Sequence, residues 1–331
     1  MGLKLRRLAA TFLSPGTNSS SASAADAHHA VMRATAHHPS TAPPPAHHLD
    51  ALLAFGRGSR LSASALASAL TDRLRAAASG HGDAAVALKC LVILRILLSR
   101  GAFILRDQLV AALVRHPASG RNPLALAAFP LGRSFAAATW VRFSARLLEL
   151  LLLPDALHDA ADADYLTALP NPHLIAELAA FASVADAVRQ APPPSSAPPH
   201  NALIWEVIRL SEEDRITAER NIAARVQEMG ERLATLSLAD AVELVCVLKQ
   251  VEERASSPAD WKWAGLDEAV VGEARRLRER AEEVVLRRTE QERRLVRRDA
   301  AGSVSVRVRT GGGEAVRFGS TRWSGTVSAR R

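Results

Sequence analysis

Lysine, tyrosine and cysteine are scarce in this sequence of 331 residues. It contains four lysines, one tyrosine and two cysteines, and all aromatic residues together make up 4 %. No run of about 18 uncharged apolar residues occurs, which argues against a transmembrane helix. Cys90 and Cys246 each lie inside an apolar helical pattern, and their number and spacing indicate neither a disulfide framework nor a metal site. We therefore predict two free, buried thiols.

Motifs that carry catalysis are also missing from the sequence. There is no glycine-rich phosphate loop, no G-x-S-x-G turn and no convincing paired-carboxylate or Cys/His arrangement. Three histidine pairs, His28–His29, His37–His38 and His47–His48, lack the second ligand type and the spacing of known metal sites. The sequence predicts a protein that is not an enzyme, has no cofactor and binds no metal.

The composition favours an all-α protein. Hydrophobic residues make up 48 % of the chain, and Ala, Leu, Arg and Glu are abundant, which are good helix formers. Helical periodicity separated by short loops predicts a helical solenoid, a superhelix of antiparallel helices in which each packs mainly on its neighbours. The predicted helices span residues 25–37, 48–55, 62–79, 84–100, 103–115, 133–153, 172–190, 202–236, 238–255 and 266–299.

Particular residues predict where some of these helices begin or are interrupted. Ser62 and Asp83 stand where N-caps are expected. The segment Ala191–His200 contains five prolines, which predicts an extended connection. The predicted domain organisation is a basic amphipathic segment and linker over residues 1–23, a helical domain over residues 24–299, and a basic flexible tail over residues 300–331.

The first thirteen residues are basic and amphipathic. Apolar side chains recur at helical spacing and cations border them. Three interpretations are open: an interfacial helix that dips into a bilayer, an organelle-targeting segment, or a disordered tail. The first interpretation assigns membrane association to six residues, namely Lys4, Leu5, Arg6, Arg7, Leu8 and Phe12.

Positive charge is concentrated again towards the end of the sequence. The formal net charge is +8, which suits an acidic membrane leaflet or a nucleic acid. The last predicted helix mixes ten arginines with nine acids, a pattern typical of a solvated face with i,i+4 ion pairs. An alternative function is therefore an all-α scaffold that binds RNA or another acidic partner through this helix and the tail. Few aromatics accompany the tail's arginines, so nucleic acid is not the expected partner.

One bend between two predicted helices combines several basic side chains. Arg33 and His37 lie at the end of the first helix, a proline-rich loop follows, and His47 and His48 open the next helix. Free N–H groups and the helix dipole at an N-terminus attract anions, and adjacent cations strengthen this attraction. The sequence predicts an anion site at this bend.

Five segments resemble the ANTH domain of clathrin-assembly proteins, with the divergent plant members as the most similar. Arg33–His37 (Arg-Ala-Thr-Ala-His) resembles the family's Lys-Ala-Thr-x-His, and Pro45–Leu49 stands where Lys-x-Lys-His-Leu is expected. Ala84–Leu91 and Trp140–Leu148 resemble two further family helices, and Leu238–Glu253 resembles the helix before a Trp-containing turn. The segments occur in the family's order between residues 24 and 299.

This resemblance implies a phosphoinositide-binding adaptor of clathrin-dependent endocytosis and vesicle budding. It implies a membrane containing phosphatidylinositol 4,5-bisphosphate, the clathrin coat and vesicle SNARE helices as partners. The implied location is the cytoplasm, peripheral on coated pits of the plasma membrane, on clathrin-coated vesicles and on the Golgi. The chain contains no clathrin box, Asp-Pro-Phe or Asn-Pro-Phe peptide, so direct contact with clathrin is not expected. The implied lipid-binding residues are Arg33, His37, His47 and His48.

Overall fold

The described part of the chain is all-α, as predicted. The structure is a computed structural model, and it describes residues 18–79, 82–116, 119–130, 135–152, 163–256 and 266–302. These residues contain α-helices and two short 3-10 turns, and no strand. The helices are α1 (Asn18–Ala34), α2 (Ala46–Ala54), α3 (Arg60–Ala78), α4 (Ala84–Arg100), α5 (Phe103–Val114), α6 (Phe135–Leu152), α7 (Ala163–Ala168), α8 (Asn171–Arg189), α9 (Ala202–Arg232), α10 (Leu238–Ser256) and α11 (Glu268–Gly302).

Helices pack mainly on helices one or two positions away in the chain, as in a solenoid. Helix α3 contacts α1, α4 and α5, helix α6 contacts α4 and α8, and α8 contacts α9 and α10. The chain divides into two compact units after Leu286, within α11. The first unit holds α1–α10 and the beginning of α11, and the described part of the second is the helix from Arg287 to Gly302. The predicted domain boundary at residue 299 stays a prediction.

Two hydrophobic cores stabilise the first unit. The first core is built by helices α1–α6 with the opening turns of α9. The second core combines the end of α6 with α8, the later turns of α9, α10 and the start of α11. Helices α6 and α9 contribute to both, and Phe143 packs against both cores. The site described below lies on the first core.

Several local predictions are wrong. Helix α3 is capped by Ser59, whose hydroxyl accepts a hydrogen bond from the N–H of Ser62 at 3.2 Å, so Ser62 is not the cap. The segment predicted to be extended contains a 3-10 turn, Pro194–Ser196. Cys246 is exposed, whereas Cys90 is buried as predicted, and burial raises the pKa of the Cys90 thiol to about 12. Helix α1 begins at Asn18, inside the segment predicted to be a linker.

Two arginines inside the first unit are paired with carboxylates. Arg225 is fully buried, donates to Glu177 from Nε at 3.0 Å, and lies over the ring of Phe181. The Arg95 Nε donates to the buried carboxylate of Asp214 at 2.7 Å and ties α4 to α9. A buried pair of this kind is costly to break from one side, because an unpaired charge then remains in the interior.

The arginines of α11 within the first unit are also engaged. Arg278 donates to Glu252 of α10 at 2.6 Å and to Glu282 at 2.9 Å, and Arg276 pairs with Glu273. This agrees with the predicted ion-paired face and adds a structural role, because α11 is held to α10. Among the described residues, no helix combines the length and apolarity that crossing a membrane requires.

Candidate anion site at the first interhelical bend

The bend between α1 and α2 starts from a threonine that closes the first helix. The Thr35 backbone N–H donates to the carbonyl oxygen of Val31 at 2.9 Å and so continues the hydrogen bonding of α1 for one more residue. The Thr35 hydroxyl donates to the same oxygen at 2.7 Å. Arg73 of α3 donates from Nε to the same hydroxyl at 3.2 Å. Thr35 is completely buried. The end of α1 is therefore fixed against α3, and Arg33 is held at a defined position on the surface.

Lys89 of α4 supports the loop that follows. Its ammonium donates to the carbonyl oxygen of Ala36 at 2.6 Å and to that of Pro39 at 2.8 Å. Lys89 is only 3 % exposed. Burial lowers the pKa of this lysine, and the Asp83 carboxylate partly offsets that effect. Because the buried ammonium donates to two carbonyl groups of the loop, its role is to hold the loop backbone in position.

A second long-range contact ties the loop to the other half of the chain. The backbone N–H of Leu203, in the first turn of α9, donates to the carbonyl oxygen of Thr41 at 2.8 Å. Pro44 is buried, so the end of the loop is also anchored by packing. The bend is thus positioned by three helices, α3, α4 and α9.

The N-terminus of α2 has no side-chain cap. Pro45 occupies the N-cap position in an extended conformation, with φ −60° and ψ 143°, and proline offers no acceptor to the helix. The N–H groups of His48 and Leu49 both donate to the Pro45 carbonyl oxygen. Those of Ala46 and His47 precede the first intrahelical bonds and remain available at the surface. Such donors, together with the helix dipole, attract an anion.

Arg33, His47 and His48 come together at this N-terminus. The rings of His47 and His48 have their centroids 4.1 Å apart. Burial lowers the pKa of His48, and the nearby positive charges of His47 and Arg33 lower it further. Arg33 and His47 are exposed and His48 is half-buried. An anion placed among these three groups would relieve their mutual repulsion.

His37 belongs to the same bend but has another partner. Its Nδ1 lies 2.8 Å from Oδ2 of Asp83, while Oδ1 of Asp83 accepts the N–H of Val86 and caps α4. The side chain of His37 is about half exposed. The described geometry therefore ties His37 to α4 rather than grouping it with Arg33, His47 and His48.

The remaining predicted site residues belong to the N-terminal segment. Lys4, Leu5, Arg6, Arg7, Leu8 and Phe12 lie outside the described residues, so their membrane association stays a prediction. Within the described residues, no cluster of His, Cys, Asp or Glu side chains is arranged to hold a metal ion.

Sequence reasoning missed Lys89, Arg73 and Leu203 as positioning residues. Lys89 carried one available signal, since it is the only charged residue in the run Ala84–Leu94 of an otherwise apolar helix. A lone charge at a core position is rarely left without a partner. Neither Arg73 nor the backbone of Leu203 carries a local signal of this kind.

Fold and site together define a class of protein. It is an all-α protein of successive packed helices whose first interhelical bend presents cations and open N–H groups at a helix N-terminus.

Comparison with known proteins narrows this class to a family. No protein-family model matches the chain. A protein of Arabidopsis thaliana named "Putative clathrin assembly protein" is 35 % identical over 256 residues, which cover 71 % of this chain and 67 % of that relative. The chain belongs to this family, the ANTH-type clathrin assembly proteins.

Proposed function

We propose that this protein is a peripheral adaptor of clathrin coats that binds phosphatidylinositol 4,5-bisphosphate through its first interhelical bend. The observation that carries the proposal is the convergence of Arg33, His47 and His48 on the uncapped N-terminus of α2. A polyphosphorylated headgroup matches the charge and the donors of this surface. The name of the Arabidopsis relative supports the role in clathrin assembly.

The charges at the bend predict a modest affinity for the headgroup. A surface cation near anionic lipid contributes about 1 kcal/mol. Compared with the lysine-rich pattern that the sequence resembles, one cation is replaced by Pro45 and another by His47. We expect a loss of about 1–2 kcal/mol, or roughly tenfold in affinity. Bilayer binding therefore needs a second contact, which we assign to the basic residues of the first thirteen positions.

The primary test is binding to vesicles with and without phosphatidylinositol 4,5-bisphosphate. We expect lipid-dependent sedimentation that is lost in the triple variant Arg33→Ala, His47→Ala and His48→Ala. Arg100→Ala is the matched control, because Arg100 is exposed at the end of α4, about 16 Å beyond Lys89, which contacts the bend. Equal binding of the triple variant and the wild type would refute the site. Displacement of the protein from the vesicles by RNA would favour the alternative scaffold function.

The second contact has its own test. Removing residues 1–13 should reduce vesicle binding markedly while leaving the binding of soluble inositol 1,4,5-trisphosphate unchanged, because this ligand has the headgroup but no membrane. No change in vesicle binding would refute a role of these residues.

The proposal implies a location on coated pits, clathrin-coated vesicles and Golgi membranes. A vesicle SNARE helix is a further proposed partner, and no residue is assigned to its binding. Direct clathrin binding is not part of the proposal, because none of the usual clathrin-binding peptides occurs in the sequence. Co-localisation of the tagged protein with clathrin, compared with that of the triple variant, tests the location.

A further inference from the structure

An exposed tryptophan lies beside the candidate anion site. Trp205 is in the first turn of α9 and is 44 % exposed, although tryptophan is among the residues that gain most from burial. Its neighbours Leu203 and Ile204 are almost completely buried in the first core. The helix is therefore firmly seated at this point, and the exposure of the indole is not the result of a loosely packed segment.

The connection between Trp205 and the bend is short. The N–H of Leu203 donates to the carbonyl oxygen of Thr41, and Trp205 follows two residues later along the helix. Two helical residues span about 5–6 Å between Cα atoms. The Cα of Trp205 thus lies within about 10 Å of the loop that carries the anion site.

The acid next to Trp205 is paired with an arginine. Glu206 is the adjacent acid, and its two carboxylate oxygens accept hydrogen bonds from Arg209 at 2.7 and 2.9 Å. This bidentate pair offsets the charge of Glu206, and Arg209 also pairs with Glu213 one turn further along the helix. The backbone of Trp205 therefore lies next to a paired acid in α9 and close to the loop of the basic bend.

We propose that the indole of Trp205 enters the interfacial layer of a lipid bilayer whose headgroup is bound at the bend. Tryptophan favours this layer because its ring is largely apolar while its N–H can still be hydrated. The inference rests on the proposed function, since the bend supplies the orientation. A bilayer is the favoured occupant, because the basic bend adjoining Trp205 attracts an anionic surface.

The expected effect follows from the exposed area. At 44 % exposure, the indole offers about 100 Å² to a partner. Complete removal of this area from water corresponds to a change of up to about a hundredfold in affinity. Because the ring would enter only the interfacial layer, we expect Trp205→Ser to weaken binding to vesicles containing phosphatidylinositol 4,5-bisphosphate by about tenfold.

Phe103→Ser is the matched control. Phe103 is an exposed aromatic residue, 70 % accessible, and it opens α5 just beyond the end of α4 opposite to the bend. The end of α4 that Phe103 follows lies about 16 Å beyond Lys89, which contacts the bend. We expect its substitution to leave vesicle binding unchanged. Equal losses in the two variants would overturn the inference, because the effect would then be non-specific hydrophobic adsorption.

Two further measurements separate the inference from the proposed function. Binding of soluble inositol 1,4,5-trisphosphate should be the same for the wild type and Trp205→Ser. If the wild type does not bind this headgroup, the proposed function fails. If it does, and Trp205→Ser sediments with vesicles like the wild type, the inference fails alone.

Tryptophan fluorescence provides a readout that does not depend on affinity. Vesicles with brominated acyl chains should quench the wild type more than Trp205→Phe, since only the wild type would place an indole at that depth. Equal quenching of both proteins would contradict insertion. A thermal melt of each variant ensures that only folded protein is compared.

Discussion

Replacing Lys89 with methionine tests how far anion binding at the bend depends on the hydrogen bonds that Lys89 donates to the loop. Methionine keeps the unbranched apolar stem but removes the ammonium that donates to the carbonyl oxygens of Ala36 and Pro39. Bonds from a charged donor contribute about 1.5–3 kcal/mol each. The net loss is smaller, because the removal also ends the cost of burying the ammonium, which is visible in the lowered pKa of Lys89.

Exposure of the loop reduces the cost further. Ala36 and Pro39 are exposed residues, so water can replace the lost donor at their carbonyl groups. We therefore expect Lys89→Met to lower the free energy of unfolding by about 2 kcal/mol, at about 1 kcal/mol for each bond. The effect on binding should be at least threefold, because the loop between Arg33 and α2 loses its fixed position while all three cationic side chains remain.

The assays are urea denaturation and calorimetric titration with inositol 1,4,5-trisphosphate. Lys249→Met is the matched control, because Lys249 is half exposed and forms a surface ion pair with Glu282 at 2.9 Å. A pair of this kind contributes at most about 1 kcal/mol. If Lys89→Met behaves like Lys249→Met in both assays, the assignment of Lys89 as the support of the bend is wrong.

Three further predictions follow from charged groups in the structure. The lowered pKa of His48 leaves its side chain largely neutral at pH 7.5, so binding of an anion there is coupled to protonation of the ring. Headgroup affinity should therefore rise as the pH falls to 6. This rise should vanish when His47 and His48 are replaced by alanine. Arg95→Met should lower the free energy of unfolding by about 3–5 kcal/mol, because the Asp214 carboxyl, whose pKa is already raised by burial, is left in the interior without its partner. Asp83→Ala should cost about 1 kcal/mol through the lost cap of α4, and should also release His37.

Each of these predictions has an outcome that contradicts it. A flat pH dependence of headgroup binding in the wild type, measured by calorimetry, would mean that His48 takes no part. Urea denaturation of Arg95→Met beside the double variant Arg95→Met, Asp214→Leu should show recovery in the double variant, since no buried charge then remains. Unaltered unfolding of Asp83→Ala would show that its cap is dispensable.

The lowered pKa of His48 also makes the stability of the fold depend on pH. Because the pKa of His48 is lower in the folded protein than in the unfolded chain, the folded state binds fewer protons. The contribution of His48 to stability is present above about pH 6.5 and is lost as the pH falls through the lowered value. Acidification therefore strengthens anion binding and weakens the free fold at the same residue.

Helix α4 illustrates what local sequence predicts well. Its bounds and its Asp83 cap are those that the apolar periodicity and the aspartate indicate. Helix α7 was not predicted, because its six residues are too short to show a period. The cap of α3 was misplaced because Ser59 and Ser62 are both suitable residues three positions apart, and only the structure shows which hydroxyl accepts the N–H.

Cys246 shows why an apolar run does not by itself locate the core. It lies between Val245 and Val247 in α10, but the completely buried positions of that helix are Ala241, Leu244 and Leu248. Position 246 falls on the opposite side of the helix from these residues. Because both neighbours of Cys246 are valines, the sequence alone does not show that position 246 lies on the exposed side of the helix.

At the candidate site, sequence could indicate the cations but not their arrangement. The basic pattern from Arg33 to His48 and the start of α2 near residue 46 were both accessible from the sequence. The pairing of His37 with Asp83 was not, because it joins residues 46 positions apart. Long-range contacts of this kind depend on how helices pack, and a local pattern carries no information on them.

The tie between Thr41 and Leu203 has a consequence for biosynthesis. During translation the basic bend leaves the ribosome long before the first turn of α9 that completes its support. A nascent or truncated chain that ends before Leu203 would carry the cations without the finished scaffold, and its early helices would expose the apolar surface that α9 covers. Truncation before Leu203 should therefore lower both the stability of the bend and its affinity for an anion.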